Sequence, residues 1–308
     1  MPDVVVDAHH HLWVRARTPQ PWIDPVTMAA IDADFMTEDL PASAHGVTAT
    51  VVVQSADLWA ETDELIAVAA SDAGRAAGIA GVVGWADLFA PDLAERLAAL
   101  RAGSGSGGLV GVRTQVQAEA DPGYLDRADV RAGIATVGAA GLVFDLVIRH
   151  DQVAACAALA AALPDVRFVL DHLGKPPLAA AVADPGALDT WRRDLAALAV
   201  CPNVTAKVSG LVTEADWDRW RPADLRPAVE HALDVFGPSR LMFGSDWPVS
   251  LLAIDYGMWL EVVHELLSDL AADERADVLA GTAARTYSLD LPAFVQPTTT
   301  HPTEEPLP

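Results

Sequence analysis

The chain has 308 residues, 52% of them hydrophobic and 20% charged, which supplies a sizeable core and excludes general disorder. Acidic residues outnumber basic ones 43 to 20, and the net charge of −23 argues against nucleic acid or an anionic membrane as partner. No stretch reaches the roughly 20 uncharged apolar residues of a membrane span, and MPDVVVD has no signal-peptide character. Cys156 and Cys201 lie in apolar contexts without metal-type spacing, so the expectation is a cytoplasmic protein with reduced core thiols.

Short β-branched runs recur along the chain. They fall at 4–8, 48–54, 79–85 and 109–115, then at 142–148, 167–172, 203–210 and 240–246. Alanine- and leucine-rich segments of helical period separate them, TDELIAVAASDAGRAA and YGMWLEVVHELLSDL among them. Eight strands alternating with helices predict one (β/α)8 TIM barrel over 1–291. A doubly wound open sheet is the second choice, weakened because no Gly-x-Gly-x-x-Gly follows the first strand. The run GSGSGG (103–108) follows a helix and precedes a strand, the reverse of a phosphate cradle, and is read as a flexible loop. The proline- and threonine-rich tail 292–308 is read as disordered, and its His301 receives no role.

Side chains at the C-terminal ends of barrel strands share one mouth. The first strand runs into DAHHHLW, where alternation would turn Asp7, His9 and His11 to one side. Two imidazoles there could hold a metal or flank a substrate carbonyl. Later strand ends contribute Gln54, Arg113, Asp171 with His172, Lys207 with Ser209, and Asp246. Each has a plainer reading. Asp246 could cap the next segment, His172 could be a core histidine, and Lys207 could reach to solvent. Arg113 is either a clamp on an anion or carbonyl, or a strut paired with Asp145. Trp13, Trp22, Trp59 and Trp247 could be core, or could wall a sugar ring.

DAHHHLW, PWID, GVRTQVQ, FVLDHLGKPP, KVSGL and FGSDWPV, in this order from about residue 3 to 290, resemble the lactonase branch of the amidohydrolase superfamily. That group includes sugar-lactone hydrolases of the L-fuconolactonase and L-rhamnono-lactonase type. The resemblance implies a (β/α)8 barrel that opens a small ring ester, with His9, His11, His172 and Asp246 carrying the site. Metal-dependent members of the wider superfamily carry a strand-five histidine and often a strand-four lysine. This chain has Asp145 and Arg113 there, which argues against a two-metal centre. One divalent ion, zinc by its nitrogen and oxygen ligands, could sit on His9 and His11 with His172 and Asp246. Catalysis without metal is the other option.

The expected reaction is water attack on the lactone carbonyl, with Asp246 as general base. His172, Arg113 and Lys207 are the further catalytic candidates, and Gln54 and the four tryptophans are the substrate-binding ones. The tryptophans and the few basic residues favour a sugar-acid lactone as the small-molecule substrate. A metal-dependent decarboxylase on the same barrel and a non-catalytic ligand-binding barrel are the alternatives.

Overall fold

The computed structural model describes residues 4–103 and 107–291. The glycine-rich run lies partly outside the described residues, and the tail 292–308 wholly so. Eight parallel strands pair in chain order. They are β1 (Val6–His10), β2 (Ala49–Val53), β3 (Ile79–Gly84), β4 (Leu109–Thr114), β5 (Val143–Leu146), β6 (Arg167–Leu170), β7 (Val204–Val208) and β8 (Leu241–Phe243). The sheet closes just past the strand ends. Asp246 N–H donates to the His9 carbonyl at 2.8 Å, and His11 N–H to the Trp247 carbonyl at 2.7 Å. The eight expected strands are all present, and the open sheet is excluded.

These strands are valine-rich and buried on both faces because side chains fill the barrel inside and helices cover it outside. Val6, Ala8, Val51, Val53, Val83, Val143, Val169 and Met242 form the inner apolar layer, joined by Ala280, Ala283 and Tyr287 from the C-terminal helices. Each fully buried valine contributes about 1.5–3 kcal/mol. The polar residues of the inner wall lie above this layer, toward the C-terminal strand ends.

Two outer-helix tryptophans fix the turns that follow β6 and β8. Trp191, on helix Asp189–Ala199, donates from Nε1 to the Leu173 carbonyl at 2.8 Å. Trp259, on helix Tyr256–Leu266, donates to the Gly244 carbonyl at 2.9 Å. Both indoles are fully buried, so each packs as core and satisfies a carbonyl next to the site. Asp255 caps the second helix through Met258 N–H at 2.8 Å.

Candidate active site

β1 is not a regular strand. Asp7 pairs with Thr50 and His10 with Val52, so β1 carries one residue more than β2 over this interval. Ala8 and His9 therefore face inward in succession, and Asp7 does not join His9 and His11 as simple alternation predicts. Asp7 turns to the β8 side. It accepts from Ser245 N–H at 2.8 Å, Ser245 Oγ at 2.6 Å and the Tyr256 hydroxyl at 2.9 Å. These bonds hold the Gly244–Ser245–Asp246 corner against β1, and they occupy the Ser245 hydroxyl.

His172 and Asp246 both stand on left-handed backbone. φ is +54° at His172, +50° at Leu173, +69° at Gly174 and +54° at Lys175, and +57° at Asp246. Such geometry costs about 1–3 kcal/mol at a non-glycine residue and persists where surrounding bonds over-determine it. Trp191 supplies one of those bonds, and Lys175 N–H to the His172 carbonyl at 2.9 Å supplies another. Gly210, at φ +58°, leaves the space both side chains need. A Cβ there would come within 2.5 Å of His172 Nδ1 and 2.9 Å of Asp246 Oδ2.

The predicted quartet does come together. Asp246 Oδ1 lies 3.6 Å from His9 Nε2, 3.5 Å from His11 Nε2 and 3.9 Å from His172 Nε2. His9 Nε2 and His11 Nε2 are 3.2 Å apart. His11 Nδ1 is 2.8 Å from the Val53 carbonyl, which must accept, so the His11 Nε2 lone pair faces its neighbours. His172 Nδ1 shares a 2.9 Å hydrogen bond with Ser209 Oγ. Ser209 is fully buried below the cavity, so its hydroxyl orients the imidazole instead of meeting substrate. His9, His11 and Asp246 form a donor set of the size and chemistry that suits one N/O-liganded divalent ion. His9, Asp171 and His172 form a second such group. Arg113 Nη1 stands 3.4 Å from His9 Nε2, a fixed positive charge beside either.

Beneath these groups lies a closed charge cluster. Lys207 Nζ meets Asp145 Oδ2 at 2.6 Å, Asp171 Oδ1 at 2.9 Å and His9 Nδ1 at 3.2 Å. Arg113 Nη1 meets Asp171 Oδ2 at 3.0 Å, and the Tyr287 hydroxyl donates to Asp145 Oδ2 at 2.7 Å. Two cations thus balance two carboxylates out of water. The strut reading of Arg113 needs correcting in its partner, which is Asp171 and not Asp145. Strand-five Asp145 binds Lys207 instead.

Burial works to raise the Asp246 carboxyl, but His172, the neighbouring His11 ring and His9 hold it below the usual carboxylate range. Burial lowers His172 to about 4, against the pull of Asp246 and Asp171, and also lowers His9. At neutral pH the site is a carboxylate facing the neutral imidazoles of His9 and His172. Burial likewise takes His10 down to about 3.

These shifts set the acid stability. Unfolding below about pH 6.5 lets His9, His10 and His172 take up protons that the fold denies them. Their contribution is complete above pH 6.5 and is lost as pH falls toward 4, about 3 kcal/mol for His172 alone. Asp7 and Asp145, raised by burial to about 6, act in the opposite sense between pH 6 and 4, and Asp57, Glu61 and Glu214, also raised by burial, act with them. The imidazoles act over the wider span, from about pH 6.5 downward, and so set the sign of the balance. Urea midpoints are expected to fall steadily from pH 7 to 4.5, and a flat or rising profile would contradict this balance.

A cavity of about 580 Å³ opens above the cluster, lined by His11, Arg113, His172 and Asp246 together with Trp13 and Trp22. Four expected contacts are not among its lining residues. Lys207 is fully buried one layer below the strand tip and meets His9 instead. The buried Gln54 amide donates to Asp57 Oδ1 at 3.2 Å and to the Arg113 carbonyl at 3.3 Å. Trp59 packs on Trp85 at 5.6 Å under the Arg96 guanidinium, on the outer helix Trp59–Ala69. Trp247 is buried edge-on to Phe35 at 5.2 Å. The tryptophan wall reduces to Trp13 and Trp22, whose rings meet edge to face at 6.3 Å. Sequence reading passed over Asp57, Gln115, Gln117 and Lys175, which also line the cavity. Their signal was available: each is polar and lies within a few residues of a strand end.

The sequence model of the amidohydrolase family matches residues 6–289. An L-fucono-1,5-lactonase of Burkholderia multivorans is 42% identical over 296 residues, 94% of this chain and 97% of that protein. A crystal structure of an amidohydrolase from Burkholderia multivorans with bound HEPES superposes with a TM-score of 0.85 at 41% identity. A second, with bound zinc, gives 0.83 at 40%, and each comparison covers 93% of this chain and 99% of the other. Both the catalytic-end geometry and these likenesses lead to one assignment: the chain belongs to the amidohydrolase family.

Proposed function

We propose that this protein hydrolyses a sugar-acid lactone to its open-chain hydroxy acid, and that Asp246 is the general base. The observation that carries this is an ionised carboxylate at the cavity floor, ringed by three imidazoles and faced by Arg113. The likeness to an L-fucono-1,5-lactonase supports the substrate class. Trp13 and Trp22 give the sugar ring an apolar wall. Two free, buried cysteines suit a cytoplasmic setting. Among the described residues no helix is long and apolar enough to cross a membrane.

Asp246 takes a proton from water as the water oxygen bonds to the lactone carbonyl carbon. Arg113 and His172 offer donors to the oxyanion that develops, each worth on the order of 3 kcal/mol where aimed at that charge. The ring C–O bond then breaks, and the alkoxide receives the proton held on Asp246. The product acid ionises at neutral pH, so each turnover releases one proton. No serine hydroxyl enters this scheme. Zinc, if it is the resident ion, would be held by His9, His11 and Asp246 with His172 nearby, and would act as a Lewis acid.

A pH-indicator assay over a panel of aldonic and muconic lactones, with and without prior chelation, tests this. Proton release on aldonolactones is expected. If it survives chelation, the side chains suffice, and if zinc is needed to restore it, the ion belongs at His9 and His11. Silence across the panel with zinc present, together with carbon dioxide release from aromatic acids, would replace this reading with the decarboxylase.

A further inference from the structure

Two carboxylates follow β2 within a few residues, and they are partnered very differently. Glu61 is saturated: it accepts from Ser55 N–H at 2.9 Å, Ala56 N–H at 2.8 Å and the Ser55 hydroxyl. Ser55 Oγ in turn accepts from Gln20 Nε2 at 2.7 Å, which ties the loop bearing Trp22 to the barrel. Asp57 is not saturated. Among the described residues its hydrogen bonds are Gln54 Nε2 at 3.2 Å and Gln115 N–H at 3.4 Å, both long. A carboxylate has about four lone-pair sites. Two thus remain, on a side chain that lines the cavity wall.

The groups beside it complete a pattern. Gln117 Nε2 donates to Gln115 Oε1 at 3.1 Å, which leaves the far end of the Gln115 amide as a donor. Both glutamines line the same cavity. A fixed acceptor pair next to an amide donor matches adjacent hydroxyls, each of which gives one hydrogen and receives another. Burial raises the Asp57 carboxyl, in keeping with acceptor capacity not yet used. The buried Gln54 finds its purpose here as well, because it aims Asp57 instead of touching substrate.

We propose that Asp57, aimed by Gln54 and flanked by Gln115 and Gln117, is the specificity-determining residue that binds the ring hydroxyls of the substrate. This rests on the lactonase reading and names what that site selects: polyhydroxylated rings over deoxygenated ones. A site built to hydrogen-bond hydroxyls disfavours an analogue without them, because its own polar groups then stay unpaired.

Binding tests this separately from turnover. Affinities are measured by calorimetry for a polyhydroxylated δ-lactam of a sugar acid, which resists hydrolysis, and for unsubstituted δ-valerolactam. The wild type is expected to prefer the hydroxylated ring by about 100-fold or more. Asp57→Ala should cut that preference by about 10- to 100-fold, and Asp57→Asn, which keeps one acceptor, by less. An unchanged preference in Asp57→Ala, or an equal loss for both lactams, would overturn the proposal in favour of a structural role. Should Asp57→Ala fail to fold, the preference in Asp57→Asn decides alone: a fall supports the proposal and wild-type discrimination overturns it. If the wild type opens no lactone yet shows the Asp57-dependent preference, the hydrolytic reading fails while hydroxyl recognition stands.

Discussion

Asp246→Asn is expected to lower kcat for aldonolactone hydrolysis by about 10²- to 10⁴-fold, the usual contribution of a positioned general base. The substitution is unusually clean here. Asparagine tolerates left-handed backbone as well as aspartate does, so φ of +57° at this position imposes no new strain. The amide oxygen can still face His11 and His9, but it cannot take a proton from water. KM should change little, and circular dichroism should stay that of the wild type. The ionised state of Asp246 at neutral pH predicts, in addition, a wild-type rate with no carboxylate step between pH 6 and 8. Metal content of the variant is measured in parallel, because a lost ligand would lower occupancy whereas a lost base would not. A variant that keeps near-normal kcat would remove Asp246 from the base role.

The barrel was legible because buried parallel strands leave a continuous β-branched signal, and eight of them recur at regular spacing. The quartet His9, His11, His172 and Asp246 was legible for a related reason: ionisable residues at the ends of apolar strands stand out. What failed were the inferences that need depth or orientation. Alternation alone put Asp7 beside His9, because a one-residue bulge in β1 leaves no trace in composition. Strand-end position alone puts Lys207 at the mouth, yet a residue two positions before Ser209 sits a layer lower, where it meets Asp145 and Asp171. Tyr287, which closes that cluster from below, comes from the last helix, too far along the chain for spacing to reveal. Tryptophan identity could not separate the wall residues Trp13 and Trp22 from Trp59 on the outer ring and Trp247 in the core.

Lys207→Met is expected to destabilise the fold by about 3–5 kcal/mol, the cost of removing one partner from a buried ion cluster. The charge count gives the reason. Asp145 and Asp171 face Lys207 and Arg113 in a neutral arrangement, and the variant leaves one negative charge uncompensated out of water. The double variant Lys207→Met, Asp145→Leu returns to one carboxylate and one guanidinium, so it should recover a large part of the loss. The single variant should also regain stability on mild acidification. Asp145 is already raised to about 6 by burial, and losing Lys207 raises it further, so a proton can neutralise it as pH falls from 8 toward 6. Urea midpoints of the wild type and both variants at pH 8 and 6 decide the matter. A double variant no more stable than the single would mean that the cost lies in lost packing. Activity adds a separate reading. Lys207 touches no cavity wall but meets His9 Nδ1 at 3.2 Å, so its loss should act through the imidazole that faces Asp246, lowering kcat more than it raises KM.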